Sequence, residues 1–278
     1  MKNKALSFVI AASVVGALGS ATIALCAPRL IKVDKVAMAK DVNRQSSGET
    51  LGTAAATLPP LDLSGMKLWN YNAKWHASEW ANEGGPIPWR YDHVQRQPNG
   101  DVKFILDSAG APQLQAVKGM PAYNSGLWET DVTLPQMMDG LIVSPLWLYD
   151  SGSKDEIDFE FAGRNGLDVS MHAYPGGVHK QKTVRLFEGQ DMSGQRKRFG
   201  IRLDLQAGFA DMYVDGEMVY RFDRKEVGFF VSHPLKPFIE MWPTNPNNAN
   251  FVSWSGGWQG IRSGQTNVMI AHGYAHSD

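Results

Sequence analysis

Acidic and large apolar residues alternate without a break in the segment 155–161, which reads Asp-Glu-Ile-Asp-Phe-Glu-Phe. This alternation has the period of a β-strand with one buried face, and it places Glu156, Asp158 and Glu160 together on the other face. Three neighbouring carboxylates repel one another, and an ordinary surface strand would intersperse Lys or Arg among them. The pattern favours carboxylates that serve a function. The plainer interpretation is a polar solvent face over an apolar core.

The chain from Leu61 onwards is predicted to form one all-β domain, residues 61–278. Short β-patterned runs alternate with clusters of turn residues and include 101–106, 126–134, 141–149, 209–214 and 217–222. Between the last two runs, Asp215-Gly216 is a strong signal for a type I′ hairpin. Many short strands at close spacing are typical of a β-sandwich or jelly roll.

Composition narrows the choice of partner. The formal net charge of the 278 residues is −1 and the pI is near 6.7, so no basic surface points to nucleic acid. A neutral polysaccharide fits this charge balance. Nine Trp residues add weak support, because a β-sandwich core uses Trp as readily as a sugar-binding groove does. We expect a polysaccharide partner, no nucleic-acid partner and a monomer.

The N-terminal segment 1–27 is predicted to be a signal peptide or a signal anchor. Lys2 and Lys4 precede an uncharged, apolar run that continues to Ala27. Residues 28–60 lack sustained periodicity and are predicted to form a linker. Export to a secreted or periplasmic location follows if the signal is cleaved. The alternative is a membrane-anchored protein with an exported catalytic domain, and a membrane partner is expected only in that case.

The acidic segment and its surroundings resemble glycoside hydrolase family 16, which includes lichenases, laminarinases and xyloglucan endotransglycosylases. The motif is Glu-Ile-Asp-Phe-Glu at 156–160, with one residue between Asp158 and the second Glu, as in lichenases and the xyloglucan enzymes. Segments 123–129 and 213–216 also match, and the resemblance covers roughly residues 65–270. It implies a jelly-roll sandwich of two curved antiparallel sheets with a concave substrate groove.

The resemblance also assigns roles to the three acids. It implies that Glu156 is the nucleophile, that Glu160 is the acid/base, and that Asp158 lies between them and hydrogen-bonds the nucleophile. A pair of carboxyl groups flanking the scissile bond is what retaining glycoside hydrolysis requires. Clustering of the three acids should also raise at least one pKa, which keeps the acid/base protonated near neutral pH.

Two further segments are predicted to line the groove. In 169–174 the alternation puts Ser170, His172 and Tyr174 on one face, where the family makes polar sugar contacts. His172 also has an ordinary interpretation as a core or surface histidine. Segment 239–243 resembles the later family strand that carries substrate contacts, so Glu240 is expected to bind substrate and Trp242 to stack on a sugar ring, with core packing as the alternative for Trp242.

The leading functional hypothesis is an exported, retaining endo-β-glycosidase that hydrolyses a β-linked polysaccharide, a β-glucan or a related polymer, through a covalent glycosyl-enzyme. A transglycosylase on the same site and a non-catalytic carbohydrate-binding jelly roll are the alternatives. Metal-dependent hydrolysis by the acid cluster is weaker, because Ca²⁺ sites usually draw on flexible loops. No cofactor is expected, and the sequence leaves a structural calcium ion undetermined.

Overall fold

The computed structural model describes residues 57–278, which form two antiparallel sheets of seven strands each. The strands are β1 (Trp75–Ala77), β2 (Val94–Arg96), β3 (Val102–Leu106), β4 (Gln113–Ala116), β5 (Ser125–Thr133), β6 (Leu141–Tyr149), β7 (Glu156–Ala162), β8 (Leu167–Ala173), β9 (Lys180–Leu186), β10 (Arg196–Asp204), β11 (Phe209–Val214), β12 (Glu217–Asp223), β13 (Lys236–Pro243) and β14 (Asn267–Ser277). The front sheet has the order β1-β4-β13-β6-β7-β8-β9, and the back sheet β12-β11-β10-β5-β14-β3-β2. The predicted β-jelly-roll sandwich is confirmed.

The core lies between the sheets and explains the alternation in β7. Ile157, Phe159 and Phe161 are all buried, and the last two rings meet Phe199 of β10 with centroids 5.3 and 6.0 Å apart. These apolar side chains therefore point towards the back sheet. The intervening acids point the opposite way, onto the outer side of the front sheet, which we call the groove face. The local period thus decides which side of the sheet bears the chemistry.

The predicted hairpin joins β11 to β12. Asp215 and Gly216 have φ angles of 53° and 83°, the two positive values that a type I′ turn requires. Val214 pairs with Glu217 directly across the turn. The Asp-Gly prediction is confirmed in both turn type and register.

Folded structure begins slightly before the predicted boundary at Leu61. Leu58 is already buried, and the backbone N–H of Tyr274 in β14 donates a hydrogen bond to the carbonyl of Pro59 at 2.9 Å. The predicted signal segment and the linker up to residue 56 lie outside the described residues. Within residues 57–278, no helix has the length and apolar character needed to cross a membrane.

Two short helices interrupt the strands, α1 (Arg224–Val227) and α2 (Ala249–Ser255). The second begins at Asn248, whose side-chain oxygen accepts hydrogen bonds from the backbone N–H groups of Asn250 and Phe251, as an N-cap residue does. Sequence periodicity does not predict α2, because two turns are too few for a helical pattern to emerge. This helix nevertheless covers one end of the groove face.

Candidate active site

The three acids of β7 lie in line at the middle of the front sheet. Strand β7 is hydrogen-bonded to β6 on one side and β8 on the other, so it is held along its length. Glu156, Asp158 and Glu160 pair with His172, Ser170 and Asp168 of β8, respectively. Asp158 is only 1% exposed, whereas both Glu residues are partly exposed. Two reachable carboxyl groups therefore flank a buried one.

Burial raises the pKa of all three carboxyl groups. For Glu156 the pKa rises to about 7, because burial outweighs the opposing effect of the neighbouring Asp158 carboxyl. Burial, and then the charges of Glu156 and Asp168, raise the pKa of Glu160 well above its ordinary value. Because the carboxyl groups of Glu156 and Glu160 interact, the first of them to lose its proton makes the second harder to ionise. The pair can therefore supply one carboxylate and one carboxylic acid at the same pH, as acid–base catalysis requires.

Asp158 is held mainly in its protonated form. Burial is the largest cause of its strongly raised pKa, followed by the charges of Glu160 and Glu156. Neither of its oxygens has a hydrogen bond of normal geometry within residues 57–278, and the nearest basic group is Nε2 of His172 at 3.5 Å. A buried carboxyl group that forms no hydrogen bond lowers the stability of the fold, unless it donates its proton in a hydrogen bond to a neighbouring group. The proton of Asp158 is thus available to an ionised Glu156.

The β8 side of the site contains the predicted residues Ser170, His172 and Tyr174. Ser170 and His172 are buried on the groove face beside the acids. Burial, and then the charge of His179, lowers the pKa of His172 to about 3, so His172 is neutral near neutral pH. Its Nδ1 lies 3.1 Å from Nε2 of His179, and the two rings are stacked. Tyr174 lies just beyond the end of β8 and stacks on His179 with centroids 4.8 Å apart.

Glu240 on β13 adds another carboxyl group, itself buried, to the groove face. Its pKa is raised to about 8, chiefly by burial and further by the charge of Glu156. Nε2 of Gln113 donates a hydrogen bond to Glu240, and Ser78 Oγ donates to the side-chain oxygen of the same Gln113. The amide orientation of Gln113 is therefore set by Ser78. Glu240 thus lies on the groove face, as the substrate-binding prediction requires. Its contact with substrate stays a prediction.

Sequence reasoning missed a further acid next to Glu160. Asp168 on β8 accepts two hydrogen bonds from Arg185 on β9, both at 2.7 Å, and a third from the indole N–H of Trp254 on α2 at 2.7 Å. Its negative charge helps to raise the pKa of Glu160. The available signal was the alternation of β8, since Asp168 precedes Ser170 by two residues.

The stacking prediction for Trp242 needs correction. By register Trp242 does lie on the groove side of β13, but it is 1% exposed. Phe251 of α2 meets its ring edge to face at 5.9 Å, and the backbone of Gly84 approaches so closely that a Cβ there would lie 2.9 Å from the ring. The indole is therefore packed as a core residue, the alternative interpretation, because α2 and the Gly84 loop cover it.

The acid cluster also brings together donor atoms of the kinds that bind metals. Glu156, Asp158 and His172 each contribute one possible ligand atom, and these three atoms lie within 4.8 Å of one another. A cation held by Glu156 would neutralise the carboxylate to which the family resemblance assigns the role of nucleophile. We therefore assign these groups to carboxylate chemistry, and the absence of a cofactor stays a prediction.

The fold and the carboxyl groups together define a class of protein. Two reachable glutamates on one strand of a jelly-roll sandwich are the pair of carboxyl groups that glycoside hydrolysis uses. Residues 86–269 match the family described as glycosyl hydrolases family 16, and the chain belongs to that family. The resemblance noted in the sequence is thereby confirmed over most of the described domain.

Individual relatives agree with this assignment. A β-glucanase of Paenibacillus polymyxa is 25% identical over 210 residues, covering 71% of this chain and 83% of the relative. Xyloglucan endotransglucosylase/hydrolase protein 3 of Arabidopsis thaliana is 33% identical over 88 residues, 31% of this chain and 29% of that protein. The solved structure of a Bacillus licheniformis β-glucanase shares the fold, with a TM-score of 0.57 and 22% identity over 75% of this chain and 94% of that one.

Proposed function

We propose that this protein is an exported, retaining endo-β-glucanase that hydrolyses a β-linked glucan, or a closely related polysaccharide, through a covalent glycosyl-enzyme. The observation that carries the proposal is the pair Glu156 and Glu160, which share the groove face of β7, are both partly exposed and both have raised pKa values. The name of the Paenibacillus polymyxa relative supports a β-glucan as the substrate class.

In the first step, the Glu156 carboxylate attacks the anomeric carbon while Glu160 donates its proton to the departing glycosidic oxygen. A sugar ester of Glu156 and a free sugar hydroxyl result. In the second step, the Glu160 carboxylate removes a proton from water as that water attacks the anomeric carbon, and Glu156 departs as a carboxylate. Both protons and both bonds balance over the cycle. In this mechanism the protonated Asp158 donates a hydrogen bond to Glu156 and stabilises its charge each time Glu156 is free.

The configuration of the first-formed product tests this mechanism. Each of the two steps inverts the anomeric carbon, so a β-linked glucan should yield a β-configured reducing end first. Proton NMR recorded in the first minutes, before mutarotation, distinguishes the two anomers. An α-anomer at the start of the reaction would contradict retention, and water would then have to attack directly.

Transglycosylation is a second candidate for the same site. The glycosyl-enzyme partitions between water and the hydroxyl of an acceptor sugar, and the chemistry of Glu156 and Glu160 is the same in both cases. The Arabidopsis relative, whose name includes both activities, supports keeping this candidate. Sizing the products with added oligosaccharide acceptor separates the two, because transfer creates chains longer than the donor fragments. With the class of enzyme shown by family, the non-catalytic alternative falls away.

Export is part of the proposal and rests on Lys2, Lys4 and the apolar run to Ala27. N-terminal sequencing of the native protein should find a start between about residues 22 and 30, the range expected for a cleaved signal. An intact Met1 on membrane-bound protein would instead establish the anchored form.

A further inference from the structure

Four aromatic rings form a cluster at the β1 edge of the front sheet. We call Trp69, Tyr71, His76 and Trp80 the aromatic platform. His76 is stacked against Tyr71 with centroids 4.6 Å apart and against Trp80 at 6.0 Å, with an angle of only 12° between the latter planes. Trp69 lies 6.0 Å from His76 and 6.3 Å from both other rings. The cluster is therefore a continuous aromatic surface rather than a set of scattered side chains.

The aromatic platform contains large apolar side chains that are exposed to solvent. Residues 57–278 expose five large hydrophobic side chains, and three of these, Leu68, Trp69 and Tyr71, fall in one short turn. Trp69 is 52% exposed and Tyr71 37%. Exposed apolar side chains that lie next to one another, rather than singly, commonly mark a binding surface.

The backbone at Trp69 supports a functional origin. Its φ angle is 62°, in the left-handed region that a bulky side chain rarely adopts. Such a conformation is unfavourable for a bulky residue and persists only where the surrounding structure holds it, often at a binding site. The turn is fixed by two backbone hydrogen bonds, from Asn70 N–H to the Lys67 carbonyl and from Lys118 N–H to the Tyr71 carbonyl. The ring of Trp69 is thus held outwards.

Beneath the exposed rings lies an imidazole with unused hydrogen-bonding capacity. His76 is fully buried, and neither of its ring nitrogens has a hydrogen-bond partner among residues 57–278. Burial lowers its pKa, which favours the neutral ring. A neutral imidazole packs as an uncharged aromatic ring, so His76 gives Tyr71 and Trp80 a flat surface to stack on.

Strand register connects the platform to the catalytic centre. Starting from the edge, His76, Gln115, Phe238, Trp147 and Asp158 are directly opposite one another on successive strands and so share the groove face. The rings of Trp147 and Phe238 are 4.4 Å apart along this row. Four strand spacings separate the two ends, about 19 Å in all. A ligand that reaches both ends has to be an extended polymer.

The platform lies outside the segment that matches the family model. Its residues precede position 86, where that match begins. It is built by the turn at 67–71, by β1 and by the segment that follows β1.

We propose that the aromatic platform is a remote sugar-binding subsite, which stacks a pyranose ring of the polysaccharide several residues away from the bond that is cleaved. This inference rests on the proposed function, because its ligand is the same polymer chain. The exposed rings of Trp69 and Tyr71 cover the apolar face of a pyranose, and His76 supports these rings from beneath. The subsite selects for long chains and takes no part in bond cleavage.

The test compares Trp69→Ala with unmodified full-length protein on a soluble β-glucan and on a short aryl β-glycoside that spans only the cleavage point. Loss of an aromatic anchor should raise KM for the polymer about tenfold, with kcat unchanged, because remote binding stabilises the ground state and transition state equally. Activity on the short glycoside should not change. Trp69→Phe keeps a ring and should recover most of the affinity. Leu68→Ala, which alters the same exposed turn without removing a ring, is the matched control.

The outcomes separate the two proposals. Equal KM values for the unmodified protein and Trp69→Ala on the polymer would overturn the platform while leaving the hydrolase intact. A parallel loss on the short glycoside would also overturn it, since the ring would then be acting through the fold. If the unmodified protein cleaves neither substrate, the proposed function fails. In that case, electrophoresis of both proteins through a gel containing β-glucan still tests the platform. The platform requires that β-glucan slows the unmodified protein and does not slow the Trp69→Ala variant.

Discussion

Replacing Glu156 with Ala is expected to lower hydrolysis of the glucan by more than about ten-thousandfold, because removal of a nucleophile eliminates most of the enzymatic rate enhancement. Polysaccharide binding should survive, since the groove face is otherwise unchanged. Azide can occupy the space left by the carboxylate and attack an activated β-glycoside directly. The product of that rescue is the α-glycosyl azide, because a single displacement inverts the anomeric carbon. Initial rates and NMR of the rescued product provide both measurements.

Stability separates this loss of activity from unfolding. The pKa of Glu156 is raised in the folded protein to about 7, from the ordinary value of 4.5. The folded state therefore binds its proton more tightly than the unfolded state, and stability falls as the pH rises from about 4.5 to about 7. Removing this carboxyl should leave the unfolding temperature at pH 7 unchanged or higher. Glu217→Ala, at an exposed position on β12, is the matched control and should retain full activity. Undiminished hydrolysis by the Glu156 variant would refute the entire assignment.

Replacing Glu160 with Ala should give a loss that depends on the leaving group. For the glucan, whose departing sugar oxygen needs a proton, the rate should fall about 100- to 10,000-fold, the usual contribution of general acid–base catalysis. An aryl glycoside with an acidic phenol needs no proton, so its first step should be nearly as fast as in the unmodified enzyme. The glycosyl-enzyme then accumulates, because no base activates water. A burst of phenol release measures this directly.

The pH dependence of that burst provides an independent check. In the unmodified enzyme, hydrolysis of the glucan requires protonated Glu160, so the rate on the glucan should decline as the pH rises through the raised pKa of Glu160. The Ala variant lacks this group, and its burst rate should show no decline at high pH. Azide should turn over the trapped intermediate to the β-glycosyl azide, the opposite configuration from the Glu156 rescue. The same anomer from both variants would show that the two roles are assigned wrongly.

Two further buried carboxyl groups, Glu240 and Asp168, lie on opposite sides of β7, and different residues hold each of them. On one side, Gln113 and Ser78 orient the buried Glu240. On the other, Arg185 and the Trp254 indole hold Asp168 next to Glu160. Glu240 and Asp168 thus accept hydrogen bonds from fixed side chains, whereas neither oxygen of the buried Asp158 has a hydrogen-bond partner among residues 57–278. Such an arrangement costs stability, and active sites commonly retain that cost in exchange for reactivity.

Local pattern was sufficient for much of the fold. A period of two assigns each residue of β7 to the core or to the groove face, because consecutive side chains of a strand project to opposite sides. Asp215-Gly216 predicted its turn correctly for a similarly local reason: both residues tolerate positive φ. The positions of Ser170 and His172 beside the acids followed from the same alternation one strand later. These features need no information beyond a few neighbouring residues.

Tertiary structure alone decided what lies over and beside those residues. The alternation places Trp242 on the groove side, but only the folding of Gly84 and Phe251 onto it, from distant parts of the sequence, determines that its ring is buried. The row from His76 to Asp158 likewise depends on strand order, in which β1 and β7 are joined through β4, β13 and β6. A strand's period specifies the direction of a side chain. Its neighbours are specified by long-range pairing and by loops, which no local pattern encodes.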